Sequence, residues 1–181
     1  MVVVDTTALS LLFVPGAQAR TADGRPIKFA KERLVAFVEQ SAASNQKLII
    51  PTPALSEFLV KAATRVNELL AILKTSPWFR IESFDAAAAV ELAIRTARAI
   101  ADGDKREGSK GDWAKVKFDR KIVAIALACG ANTVFSDDGD MKAIGARWGI
   151  SVLSIEDLPI PDGCNPPPLL ENAFPETDAA G

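Results

Sequence analysis

The chain has 181 residues, 49% of them hydrophobic, and a formal net charge of −2, which fits one decorated domain able to bury a substantial core. Histidine and tyrosine are both absent, which excludes Ser-His-Asp and Cys-His nucleophiles, histidine acid–base pairs and the common zinc-hydrolase ligand sets. Hydrolysis near neutral pH is therefore left to carboxylates, lysines, hydroxyls and bound metal.

The first segment, MVVVDTTALSLLFV, opens with a β-branched run that reads as a buried parallel strand ending at Asp5. It lacks a basic n-region, and Asp5 breaks its apolar run, which argues against a signal peptide. No apolar run in the chain approaches the ~20 residues that cross a bilayer, so the expected location is the cytoplasm. Residues 14–28 carry Gly, Pro and charges and read as a loop. Leu34, Phe37, Val38 and Ala42 have helical spacing over 29–44. KLIIP (47–51) is a second strand, after which Thr52 reads as an N-cap with Pro53 at the first helical position. That helix carries Glu57, and a further helix is expected over 65–75.

WFRIESF (78–84) alternates as a strand does, and Asp85 then caps an Ala-rich helix. Residues 102–113 form a charged loop. A helix is expected from about Lys115 to Cys129, stopping at Gly130. TVFS (133–136) is a strand that runs into DDGD; a helix over 141–148 and a last strand over 151–155 follow. Residues beyond 158 hold six of the 11 prolines and four of the 23 acids but no lysine or arginine, and read as an acidic tail (159–181) that is flexible or wraps the surface. The first 148 residues carry +4, a mildly basic body. The two cysteines, Cys129 and Cys164, suggest neither a disulfide framework nor a zinc site.

Strands alternating with helices imply a three-layer α/β/α sandwich on a mostly parallel sheet, with right-handed crossovers. Ligands in such folds bind at the carboxyl ends of the strands. Asp5 and the Asp137, Asp138, Asp140 cluster lie at such ends, and Glu57 lies one turn beyond a third. Each acid has an ordinary reading as well. Asp5 suits a helix cap, Glu57 a solvated helix face, Asp119 compensation of a helix dipole, and SDDGD a plain turn. Four at compatible places in a chain without histidine form a stronger pattern than any one. Clustered carboxylates repel, and Mg²⁺ or Mn²⁺ would offset that repulsion with hard oxygen ligands.

These segments resemble the PIN-domain family. The order is an Asp after an N-terminal strand (VVVDTTAL), a Glu in the helix after the second strand (TPALSEFL), and an Asp opening FDRKIVAIALACGANTVFSDDGDM over 118–141. Ser136 stands where the family has Thr, Asp138 and Asp140 at its two Asp positions, and Met141 where it has Phe. The likeness covers about residues 1–155, within an expected domain over 1–158, and is greatest to the VapC-like toxins of bacterial toxin–antitoxin pairs. It implies an endoribonuclease that cleaves single-stranded RNA with Mg²⁺ or Mn²⁺ held by Asp5, Glu57, Asp119 and Asp138, with Asp140 as a further ligand. Thr6, Ser136 and Asp137 would support the acids or the phosphate. Lys115, Lys117, Arg120 and Lys121, with Lys110, are candidates to meet the RNA backbone, and Trp113 to stack on a base or pack against the domain. An antitoxin protein and a second copy of the chain are the implied partners.

Other readings are a housekeeping or phage-borne PIN nuclease and a non-catalytic RNA-binding module. A receiver-like phosphotransfer domain explains acids at strand ends but not Glu57 together with Asp119. GDKREGSK (103–110) has Ser and Lys in the wrong order for a P-loop.

Overall fold

A computed structural model describes residues 1–21 and 23–164. In chain order it runs β1 (Val2–Val4), α1 (Thr6–Phe13), α2 (Ala30–Ala43), β2 (Leu48–Pro51), α3 (Thr52–Lys61), α4 (Val66–Thr75), β3 (Phe79–Glu82), α5 (Ala86–Ala101), α6 (Trp113–Ala128), β4 (Thr133–Phe135), α7 (Gly139–Trp148) and β5 (Ser151–Leu153). Short 3₁₀ turns occupy Ala63–Arg65 and Ile155–Asp157. The strands form one sheet in the order β3-β2-β1-β4-β5, and all four pairings are parallel. This is the expected three-layer α/β/α sandwich.

The inner strands β1, β2 and β4 are short and almost wholly apolar because both faces are covered, whereas the edge strand β3 carries Arg80 and Glu82. Alternation along them sorts side chains to two cores. Val2, Val4, Leu48, Ile50 and Phe135 face one side, with Leu9 and Leu11 of α1, Leu34 of α2, Phe58 of α3 and Leu69 and Leu73 of α4. Val3, Ile49 and Val134 face the other, with Ile122, Val123 and Ala126 of α6 and Met141, Ile144 and Trp148 of α7. α5 packs outside α6 and buries only Ala88 and Ala99.

The chain begins in the middle of the sheet, moves out through β2 and β3, then crosses to β4 and β5 on the other side. The strand order therefore reverses between β1 and β4, and a crevice opens there at their carboxyl ends. The Asp5 N–H donates to the Phe135 carbonyl at 3.2 Å, which ties the two strand ends together at that point.

Three local expectations are corrected. Thr52 does not cap α3: Pro51 holds that place, and the Thr52 hydroxyl accepts the Phe84 N–H at 3.2 Å, joining β2 to the end of β3. The long helix starts at Trp113, capped by Asp112 through the Lys115 N–H, so Asp119 lies in its second turn, beyond the reach of first-turn dipole compensation. The last strand stops at Leu153, because Ser154 caps the turn after it. The expected loop over 14–28 contains one antiparallel bridge, Arg20 to Pro26. Of the expected tail, residues 159–164 follow the last turn, with Pro161 beside α2; 165–181 lie outside the described residues.

Candidate active site

Asp5 leaves β1 and caps α1. Its carboxylate accepts the Ala8 N–H at 3.0 Å, so the ordinary capping reading and a position at the crevice hold together. The carboxyl is only 8% exposed. Burial raises its pKa to about 6, against the lowering effect of hydrogen bonds from Ser136 and the backbone of Ala8 and Thr7.

Glu57 comes from α3, which β2 delivers to the same edge. Thr6 donates to its carboxylate at 2.8 Å, and Lys61, one turn on, stands 3.1 Å from its other oxygen. Asp119 projects from α6. It is 5% exposed, and its Oδ2 is buried without a hydrogen-bond partner. Burial raises its pKa to about 7, with repulsion from Asp138, Asp140 and Asp5 adding to the rise and Lys115 opposing it.

Asp138 follows β4 and caps α7 through the Asp140 N–H at 2.8 Å, while its own N–H donates to the Ser136 hydroxyl at 3.2 Å. Asp140 accepts the Lys110 N–H at 2.8 Å. Burial works against the charge of Asp140, but Lys115, the Lys110 N–H and the Ser109 hydroxyl outweigh it and hold the pKa at about 2.

Asp5, Thr6, Glu57, Lys115, Asp119, Ser136 and Asp138 all line one open cleft of about 470 Å³ with the apolar Phe118, Ile122 and Met141. Four acids from four separate stretches of chain thus line one cleft. Asp137 is not among them. Its carboxylate accepts the Ile155 N–H at 2.8 Å and fastens β4 to the turn after β5, so the supporting role expected of it is replaced by an architectural one.

The basic residues need correction. Arg120 is 1% exposed and does not reach solvent. Its guanidinium bonds Glu107 at 2.8–2.9 Å and donates to the Lys105 carbonyl. Lys117 and Lys121 lie in an apolar groove between α5 and α6, on the side of α6 away from the acids. Trp113 packs against Lys105, Lys117 and Arg120.

Lys115 does face the cleft, but its ammonium is engaged by the acids, 2.6 Å from Asp138, 2.6 Å from Asp140 and 3.9 Å from Asp119. Burial works against the lysine's charge, yet these partners raise its pKa. The acid-binding roles of Lys115 and Lys61 were not foreseen. Their spacing was a usable signal, since each stands four residues from an acid on its own helix.

Among the described residues, no three acidic, cysteine or histidine side chains stand close enough together to enclose a metal ion as they are placed. The donors nevertheless suit a hard divalent cation: carboxylate oxygens lining one cleft, one of them buried and unpartnered. The fit lies in the donor chemistry, and the side chains would have to move to close around an ion.

No family model matches the chain, and no curated protein matches it. Solved structures do. VapBC2 from Rickettsia felis, bound to a DNA fragment from their promoter, aligns over 85% of this chain and 98% of its own matched chain, at 15% identity and a TM-score of 0.56. VapC20 from Mycobacterium tuberculosis, a Sarcin-Ricin loop cleaving toxin, aligns over 80% of this chain and 95% of its own, at 19% identity and a TM-score of 0.49. At such identities a likeness speaks for the fold, and the first of these establishes the PIN-like architecture. No helix among the described residues is long and apolar enough to cross a membrane.

Proposed function

We propose, taking the PIN-like fold as the premise, that this chain is a Mg²⁺- or Mn²⁺-dependent endoribonuclease that cleaves single-stranded RNA and serves as the toxin of a type II toxin–antitoxin pair. One observation carries the reading: Asp5, Glu57, Asp119 and Asp138 converge on a single cleft at the strand-order reversal, and one of the Asp119 oxygens is buried there with nothing to bond.

Asp5, Glu57 and Asp119, with Asp138, would hold the cation directly or through water. Bound there, the ion would lower the pKa of a water molecule and stabilise charge gathering on the phosphate. The chain's own groups do the positioning. The α1 backbone and Ser136 aim Asp5, Thr6 and Lys61 aim Glu57, and the apolar Phe118, Ile122 and Met141 line the cleft beside them. The partners that go with this reading are single-stranded RNA, an antitoxin protein and a second copy of the chain. Val60 of α3 and Ile72 of α4 are exposed apolar residues available for such contacts.

A second reading is an RNA-binding module without cleavage. It is favoured by the ion pairing of Lys115 with two of the acids. Labelled RNA incubated with Mn²⁺, with and without a chelator, separates the two. Cleavage is expected only with metal, and Asp5→Asn and Asp119→Asn are each expected to lower it by roughly a hundredfold or more. Asn caps a helix as well as Asp does, so Asp5→Asn should stay folded. Full activity in both variants would refute the assigned site, and RNA bound but uncut would support the second reading. A small antitoxin gene beside this one would decide for the toxin role.

A further inference from the structure

The ammonium of Lys115 lies within 2.8 Å of both Asp138 oxygens and 2.6 Å from Asp140, where a cation bridging those two carboxylates would sit. Its surroundings are shaped to keep it there. The Lys110 N–H fixes Asp140 at 2.8 Å, and the Asp140 N–H fixes Asp138 at 2.8 Å. Gly111 closes the loop over the pair so tightly that a Cβ would stand 2.7 Å from an Asp140 oxygen and 3.1 Å from the lysine Cδ. Charge balance across the cleft is uneven as a result. Asp138 and Asp140 share a full positive charge, whereas Asp119, which lines the same cleft as Asp5, has only a distant contact at 3.9 Å through an Oδ2 that is buried without a hydrogen-bond partner.

We propose that Lys115 is a built-in cation that fills the second position of this site, so that the chain binds a single divalent ion, against Asp5 and Asp119. The inference rests on the metal-dependent reading above. An ion with oxygen ligands at about 2.1 Å placed between Asp138 and Asp140 would meet the ammonium directly, and two positive charges in so small a space repel strongly. Lysine suits the task as a compact point charge with three donors. It supplies the neutralisation a second metal would give, at a fixed place and without regard to metal concentration.

Counting Mn²⁺ bound by the full chain tests this, using the loss of the free hydrated Mn²⁺ signal in electron paramagnetic resonance. Wild type is expected to bind one ion, Lys115→Gln two, and Lys115→Arg one, with circular dichroism verifying that each variant is folded. The wild-type count alone is informative if Lys115→Gln fails to fold. Two ions in wild type, or one in the folded Lys115→Gln, would overturn the lysine proposal while leaving the metal-dependent reading in place. No Mn²⁺ bound by wild type would overturn both.

Discussion

Asp119 shows most clearly how a single residue is held in tension by its fold. In an unfolded chain an aspartate titrates near 3.9, whereas here Asp119 keeps its proton up to about 7 and Asp5 up to about 6, chiefly because both are buried. Over the intervening range the folded chain binds more protons than the unfolded one, so metal-free stability falls as pH rises through it. Asp119→Asn removes the larger share of that loss. In chelator, the wild-type melting temperature is expected to drop between about pH 4 and pH 7, and the variant's to drop less. By pH 7 the variant should be the more stable by on the order of 1–3 kcal/mol. A variant no more stable than wild type at pH 7 would contradict the burial argument. The acids themselves were legible in the sequence because each interrupts an apolar pattern at a strand end or within the first two turns of a helix. Lys115 was misread because only the face of α6 shared with Asp119 decides whether a lysine meets the acids or solvent. Residues 115, 118, 119 and 122 share that face, and 117, 120 and 121 do not.

At the scale of elements, the loop between α5 and α6 was the least legible part. Its charges read as a solvated surface, but Glu107 is 6% exposed. It accepts from the Arg120 guanidinium and from the Trp148 indole at 2.6 Å, so one side chain clamps the loop to both α6 and α7. Its backbone takes a φ of 55°, a left-handed conformation that a non-glycine residue adopts only under compensation. Neither partner is close to it in the chain, so spacing offered no sign of the pair. Glu107→Ala leaves a guanidinium buried without its counter-charge, and a loss of about 3–5 kcal/mol is expected in denaturant unfolding. A loss below about 1 kcal/mol would mean that the ion pair is poorly desolvated. By contrast, the five strands and six of the seven helices among the described residues were readable within a few residues, because β-branched runs and helical periodicity are local signals, while α1 was implied only by the capping reading of Asp5. Thr52 went astray because its hydroxyl answers to β3, a partner 32 residues away.

Across the whole molecule, charge is more evenly spread than the basic residue count implied. The cleft offers two lysines, Lys61 and Lys115, both already paired with acids, while Lys117 and Lys121 are turned away and Arg120 is buried. RNA affinity, measured on Asp119→Asn to prevent cleavage, should therefore depend weakly on salt. A log–log slope no steeper than about −2 is expected, given roughly −0.7 per phosphate neutralised on a single strand. A slope near −5 would reveal a basic surface elsewhere on the domain. The sheet order β3-β2-β1-β4-β5 also has a bearing on when the chain becomes competent. The half that emerges first from the ribosome brings Asp5 and Glu57, while Asp119 and Asp138 arrive on α6 and after β4. Until β4 slides in beside β1, half of the carboxylates have nowhere to assemble, so a prematurely terminated product that ends before residue 133 is inert however well its first strands pair.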